Sequence, residues 1–272
     1  MTPRGFLYDE SGGLFLGDGA VIVGLYAAAN GLRAVADRQD VLANNIANAA
    51  TPGFRRQRVI DKGFYPVFLD KARRPIWTDG VRAPGGGLQT TETFSDFASG
   101  GIRTTGNPLD VALQGPGFLA VETPQGERFT RNGTFTVDTD GQLATPDGFK
   151  VLGEGGGGID VRGGRVQFAR DGTVYVDGAP TGRLRLVEFE DAHMLTRQGA
   201  NLFRASDAAL RRSAPAAETE VLAESLELSN VQLPYELIQM TMGLRLYEAN
   251  QRVITAIDET ASRVIQDVGT PQ

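Results

Sequence analysis

Between Ile22 and Ile46, apolar or small residues recur at three-and-four spacing: Ile22, Leu25, Ala29, Leu32, Ala36, then Ala43 and Ile46, with Gln39 interrupting. That period predicts an amphipathic helix with a stripe of coiled-coil type. Many of the stripe residues are alanine, so another helix can approach closely. The stretch "DVLANNIANAATPGF" (40–54) ends the helix. Pro52 disfavours the α conformation at Thr51, and Gly53 permits whatever turn follows. A second stripe runs through Leu237, Met240, Leu244, Tyr247, Ile254, Ala261 and Val264. Pro234 precedes it and suits a first helical turn, where a missing N–H costs nothing. Between the stripes the pattern changes. Short apolar runs alternate with "TPQGE", "RNGT", "DTDGQ", "TPDGF", "RDGT" and "VDGAP", which are hairpin signals.

These elements predict an α+β fold: antiparallel terminal helices forming a coiled coil, with a central all-β domain inserted between them. The expected organisation is an N-terminal extension over 1–20, terminal helices over 21–50 and 225–268, an extended connector over 51–99 and the all-β domain over 100–224. Each helix carries a stripe that nothing beside it in sequence can bury. The two stripes therefore face each other. A lone helix pair has little core, so the stripes also point to assembly with further subunits.

Glycine is abundant, 35 of 272 residues, in keeping with many tight turns. The net charge of -6 argues against nucleic acid as a partner, because phosphate neutralisation needs concentrated Lys and Arg. The local basic runs, "FRRQR" (54–58) and "KARR" (71–74), read as solvated faces. There is no cysteine, which excludes disulfides, thiolate metal sites and thiol catalysis. No window has the length and apolarity for membrane insertion, and "MTPRGFLYDESGGLFLGDG" lacks the form of a cleaved secretory signal. Candidate chemistry is sparse. The single histidine, His193, has no partners at metal or catalytic spacing and reads as a surface or packing residue. "VLGEGGGGIDV" (151–161) is followed by a strand-like run rather than a helix, so it reads as a hairpin loop and not a phosphate cradle. Asp110, Glu122 and Glu127 sit in turns or alternate outward along strands, the pattern of a solvated surface rather than of a catalytic carboxylate pair. No enzyme activity, cofactor or metal is expected. A binding module would need an aromatic platform, for which Trp77 and Tyr65 are the candidates.

Three blocks resemble one family. "LYAAANGLRAVADRQDVLANNIANAATPGFRRQR" resembles the N-terminal signature of flagellar basal-body rod and hook proteins, through Ala43, Asn44, Asn45, Ala47, Asn48, Thr51, Gly53 and Phe54. "SNVQLPYELIQMTMGLRLYEANQRVITAIDE" is similar to the family's C-terminal helix, through Ser229, Asn230, Val231, Tyr247, Glu248, Ala249 and Asn250. "TTGNPLDVALQGPGFLAVETPQGERFTRNGTFTVDTDGQLATPDGFKVLG" looks like its β domain, through Gly106, Pro108, Leu109, Asp110, Gly117, Phe118, Thr130, Arg131, Gly133 and Asp138. Length and the phrases "NAATPGFRRQ" and "GRLRLVEF" look more like the proximal than the distal rod type. The extension ahead of the first helix departs from the family pattern.

The resemblance implies a structural subunit that polymerises helically and transmits torque. Its terminal helices would line an inner tube. Its partners would be other copies, other rod proteins and the flagellar type III export apparatus, which exports family members without a cleaved signal; the protein would lie in the periplasm-spanning rod. The subunit-interface residues expected on this reading are Leu25, Leu32, Asn44, Asn45, Ile46, Asn48, Phe54, Asn230, Leu237, Leu244, Tyr247, Asn250 and Ile254. The asparagines would cap free carbonyls or bridge neighbouring chains, because an amide both donates and accepts.

Overall fold

The structure is a computed structural model, and it describes residues 18–63, 88–199, 201–216 and 218–269. In chain order the elements are α1 (Asp18–Ala47), β1 (Gln57–Gly63), β2 (Leu88–Ser95), β3 (Ile102–Thr104), β4 (Val111–Gln114), β5 (Phe118–Thr123), β6 (Gly126–Thr130), β7 (Thr136–Val137), β8 (Leu143–Ala144), β9 (Lys150–Val151), β10 (Val166–Phe168), β11 (Thr173–Val176), β12 (Ala179–Arg183), β13 (Leu186–Phe189), β14 (Leu195–Arg197), β15 (Leu202–Ala205), α2 (Asp207–Arg211), β16 (Ser213–Pro215), β17 (Glu220–Ala223), β18 (Ser225–Glu227) and α3 (Leu233–Gly269). They fall into two compact units, Met1–Ala43 with Val59–Thr93 and Leu237–Gln272, and Asn44–Arg58 with Phe94–Glu236.

In the first unit the terminal helices pack together. The Gln39 side-chain amide donates to the Met240 carbonyl at 2.8 Å, and Gly31 lies against the Asn250 side chain. As α1 runs back from Gln39 to Gly31, its partner advances from Met240 to Asn250, so the pair is antiparallel. Gly243 is buried, and a Cβ there would overlap the Gln39 amide. Close approach explains a helix-interior glycine whose propensity alone is unfavourable. Among the described side chains of α1 in this unit, Ala34, Val35 and Leu42 are buried. Ala29, Ala36 and Ala43 of the expected stripe are exposed. The inward face is thus turned by one residue from the alanine stripe. Burying Val35 and Leu42 removes more apolar area from water than burying alanines does. On α3 the half-buried positions are Gln239, Met240, Asn250, Ile254 and Ile257.

In the second unit every strand pairing among the described residues is antiparallel. The largest sheet runs β14-β15-β6-β5-β9-β8-β7, with β13 joining β5 to β16; β10-β11-β12, β17-β4 and β18-β3 form smaller sheets. The turn signals "TPQGE", "DTDGQ", "TPDGF", "RDGT" and "VDGAP" close the hairpins β5–β6, β7–β8, β8–β9, β10–β11 and β11–β12. In "VDGAP" both Asp177 and Gly178 have positive φ, 50° and 84°, the I′ geometry whose twist suits a two-residue hairpin. "RNGT" does not make a hairpin. Thr134 instead bridges Asp110, and the Val111 amide donates to the Gly133 carbonyl at 2.9 Å. Gly133 serves close approach, since a Cβ there would overlap the Val111 carbonyl.

Two apolar clusters fill this unit. One includes Val111, Leu119, Val121, Phe135, Leu143, Val174 and Leu184; the other includes Phe118, Phe129, Phe189 and Phe203. In the second cluster Phe129 meets Phe189 edge-on at 4.9 Å between ring centres, a favoured quadrupolar arrangement. Phe135→Ala removes a ring that is 2% exposed. It is expected to lower unfolding free energy by about 3–5 kcal/mol, read from guanidinium denaturation; a loss below about 1 kcal/mol would mean the cavity collapses at little cost.

Candidate functional site

The end of α1 turns into a loop that is held by polar side chains. The Asn48 amide N–H and the Asn48 side chain both donate to the Asn44 carbonyl, at 3.1 and 2.9 Å. The Thr51 hydroxyl donates to Asn48 Oδ1 at 3.3 Å. Asn48 therefore brings a second donor to a single carbonyl of the last helical turn. Asn45 does something else. Its Nδ2 donates to the Gln57 carbonyl at 2.8 Å, and its Oδ1 accepts from the Gln57 amide at 2.9 Å. The side chain pairs with β1's backbone as a neighbouring strand would. Nδ2 also reaches Glu236 Oε2 at 3.3 Å.

Gly53 is the pivot of the loop. It sits at φ 67°, and its amide donates to the Glu227 carbonyl at 2.8 Å. A Cβ there would overlap the Arg131 carbonyl. Only glycine meets both conditions. The loop then drives two residues into the interior. Phe54 is 1% exposed and Arg55 is fully buried. Arg197 stacks on the Phe54 ring at 4.0 Å and donates to the Arg55 carbonyl at 3.0 Å. Asn201 accepts from Arg197 at 2.9 Å and donates to the Pro52 carbonyl at 3.3 Å.

Beneath the loop lies a buried ion cluster. Arg55 Nη2 is 2.8 Å from Glu227 Oε1, with both side chains fully buried. Arg131 Nη1 lies 3.6 Å from Glu227 Oε2, and Arg131 Nη2 donates to the Gly115 carbonyl at 2.6 Å. The Gly100 amide donates to Glu227 Oε1 at 3.0 Å. One carboxylate thus serves two guanidiniums. Arg55 Nε and Nη1 have no hydrogen-bond partner among the described residues, so Glu227 carries nearly all of the compensation. Burial, with the nearby Arg55 cation, lowers Arg131 to about 10, against the opposing pull of Glu227 and Glu188. Burial lowers Arg197 to about 10 as well. Both remain cations at neutral pH. A base lowered in the folded state binds its proton more tightly when unfolded. These two arginines therefore subtract stability at every pH below about 10 and add no pH dependence between pH 5 and 9.

Asn230 closes the site. Asn230 Oδ1 accepts from the Arg56 amide at 2.7 Å, and its Nδ2 donates to the carbonyls of Asp96 and Ala98 at 2.8 and 2.9 Å. Arg56 also lies 3.4 Å from Glu236 and 3.5 Å from Asp96. This arrangement offers no nucleophile, no acid–base pair and no metal ligands; among the described residues no cluster of His, Cys, Asp or Glu could hold a metal. It is a joint that fixes the exit of α1 to β18 and to the residues leading into α3.

Comparison with known proteins agrees with the joint's make-up. Residues 25–55 match the family described as flagella basal body rod protein. Residues 112–176 match the flagellar hook protein FlgE/F/G D1 domain, and residues 222–267 match the C-terminal region of flagellar basal body rod FlgEFG proteins. The flagellar basal-body rod protein FlgF of Escherichia coli is 34% identical over 256 residues, 89% of this chain and 96% of that protein. FlgG of Bacillus subtilis is 30% identical over 265 residues, 89% of this chain and 97% of that protein.

The chain belongs to the flagellar basal-body rod protein family.

Rod proteins of this family are structural and not enzymatic, and this chain is a flagellar basal-body rod subunit. Within it the expected site residues separate into two groups. Asn45 and Phe54, expected at a subunit interface, are each 1% exposed and engaged inside the chain. Leu32, Ile46, Asn48, Asn230, Asn250 and Ile254 are half-buried, while Asn44 is exposed. Leu237, Leu244 and Tyr247 are exposed at 47%, 54% and 36%. Leu25 lies on α1 with its side chain outside the described residues, as are Tyr65, Trp77 and "KARR". The reading of "FRRQR" as a solvated face fails at Arg55, whose charge is needed against Glu227. Asp110 is likewise buried, accepting from Asn107 at 2.9 Å. His193 is exposed and packs edge-on to Phe94 and Phe97. The glycine-rich stretch is a loop, with Leu152 bridging Gly158. Among the described residues no helix is long and apolar enough to cross a membrane. Sequence reasoning missed Glu227 altogether. Its only signal was an acidic residue flanked by apolar ones in "SLELSN".

Glu227→Gln leaves two buried guanidiniums without a counter-charge and is expected to cost about 3–5 kcal/mol. Replacing the trio together, Glu227→Leu with Arg55→Met and Arg131→Met, should recover most of that loss. Equal destabilisation by the single and triple variants, measured by urea unfolding, would show that packing rather than charge holds the joint.

Proposed function

We propose that this chain is a rod subunit of proximal type, which polymerises helically and transmits torque along the basal body. The observation that carries polymerisation is the apolar surface of α3. Leu237, Ile238, Met242, Leu244, Leu246 and Val253 are 46–58% exposed on one helix, more than a monomer leaves in water without use. Contacts that repeat head-to-tail without closing build such a filament, and close-packed helices make it stiff. Support for the proximal type comes from the FlgF proteins of Escherichia coli and Salmonella typhimurium, each 34% identical, against 30% for FlgG of Bacillus subtilis; FlgF and FlgG of Caulobacter vibrioides are both 32% identical.

On this reading segments 21–50 and 225–268 form the inner tube, 100–224 the outer layer, 51–99 the connector, and 1–20 an added arm. Leu25, Leu32, Asn44, Ile46, Asn48, Leu237, Leu244, Tyr247 and Ile254 contribute to subunit contacts. Asn230 and Asn250 act from the same interfaces. The partners are other copies of this chain and other rod proteins. Delivery runs through the flagellar type III export apparatus without a cleaved signal, and the destination is the rod crossing the periplasm.

Two measurements test this. Expression in a strain lacking its proximal rod gene should restore swimming, and expression in one lacking the distal gene should not; the reverse result would reassign the type. Leu244→Glu should abolish rod-like polymers seen by negative-stain microscopy at high concentration, while circular dichroism keeps its strand signal. Polymers that persist in this variant would remove α3 from the assembly surface.

A further inference from the structure

The helix α3 carries a second heptad seam, distinct from the positions that meet α1. Met242, Leu246, Ala249, Val253 and Ala256 recur at alternating four and three, and all are exposed. Met242, Leu246 and Val253 are 58%, 46% and 48% exposed. A three-and-four spacing keeps a seam on one side over several turns, as a facing helix requires. This seam lies about 100° around the helix from the α1-facing one, so α3 can hold its own α1 and one further helix together.

The outer face of α1 shows the complementary shape. Ala29, Arg33, Ala36, Asp40 and Ala43 recur at the same alternation and are all exposed. Alanines offer holes where methionine, leucine and valine offer knobs. The charges decide the register. Arg33 and Asp40 stand seven residues apart, as do Arg252 and Glu259 beside the second seam. Arg33, Asp40 and Arg252 have no ion-pair partner among the described residues, and Glu259 has only an exposed 3.9 Å contact with Arg263. Antiparallel helices place Asp40 opposite Arg252 and Arg33 opposite Glu259. The parallel alignment of the same charges sets Arg33 beside Arg252 and Asp40 beside Glu259, like against like. In the antiparallel register Leu246 falls between Ala43 and the next turn, and Val253 falls between Ala36 and Ala43.

We infer that the second seam of α3 receives the outer face of α1 from a second copy of this chain, antiparallel, with Asp40 opposite Arg252. This rests on the polymerising function above and names the contact that builds it. The two surfaces differ, so the contact is heterologous and each copy keeps one of each free for the next. Within a chain Asp40 lies near the level of Met240. The neighbour's α1 is thus displaced by about 18 Å along α3, and the stagger turns a row of subunits into a helical rise.

The chain has no cysteine, so introduced ones report the contact directly. Ala43→Cys and Ala249→Cys are facing positions in the inferred register, and within one chain they are about 18 Å apart along the axis. Under oxidation of polymerised protein, the double variant should give a ladder of disulfide-linked multimers. A mixture of the two single variants should give dimers, and each single variant alone should stay monomeric on a denaturing gel. Polymers that form without any crosslink would overturn this contact and leave the rod assignment standing. Crosslinked dimers from Ala249→Cys alone would replace it with a like-to-like seam. Absence of polymers under every condition, with the protein folded, would instead count against the polymerising function itself.

Discussion

One carboxylate, Glu227, neutralises two buried guanidiniums, and the position of the α1 exit depends on it. A fully buried arginine is tolerated only where a counter-charge and geometry offset its desolvation. Arg55 has that offset at one place, 2.8 Å from Glu227. The requirement fixes the register of the loop after α1, because a shift by one residue would leave Phe54 or Arg56 under the cluster instead. Gly53 makes the insertion possible from above, and the stacked Arg197 closes it from the side. The backbone amides of Gly53 and Gly100, from separate segments, also meet at Glu227. A strand end, a loop and a connecting segment therefore share a single anchor.

Around that anchor the asparagines divide their work by chemistry. Asn45 imitates a strand's hydrogen-bonding edge toward Gln57, which needs a donor and an acceptor at amide spacing. Aspartate lacks the donor, and an apolar residue would leave Gln57's backbone unsatisfied. Asn230 does the same for Arg56, Asp96 and Ala98. Asn48 serves its own helix end. The cost of asparagine within a helix is offset locally, by bonds that hold the joint. Exposed Asn44 is left as the amide of this group that faces outward.

The helices, the β body and most hairpins were legible in the sequence, because periodicity and turn chemistry act over a few residues. Asp177–Gly178 is the clearest instance. The face of each helix was less legible. Alanine fits a buried or an exposed position almost equally, so Ala29, Ala36 and Ala43 marked a stripe without saying which way it points. Asn132–Gly133 misled for a related reason: the pair is compatible with a hairpin, but a close approach by Val111 uses the same glycine. The ion cluster was invisible, because Arg55, Arg131 and Glu227 come from three distant segments and each alone looks like surface. Desolvation is decided by what packs over a charge, and no local pattern records that.

The distribution of apolar surface on α3 argues for what the chain is built to do. A helix that needed only its partner α1 would carry one seam and polar residues elsewhere. This one has apolar flanks on both sides of that seam, Leu237 and Leu244 on one and Met242, Leu246 and Val253 on the other. Further along the helix Glu248 and Thr255 continue the line of Leu237 and Leu244, and Arg252 and Glu259 lie between that line and the second seam. Such a pattern is unfavourable in an isolated molecule, because more than one hydrophobic stripe faces water. It becomes favourable only in a wall of helices, where each strip of apolar surface has a neighbour. The joint and the unsatisfied helix are then complementary parts: the joint holds the loop after α1 against Glu227, and α3 sets how many neighbours the helices must meet.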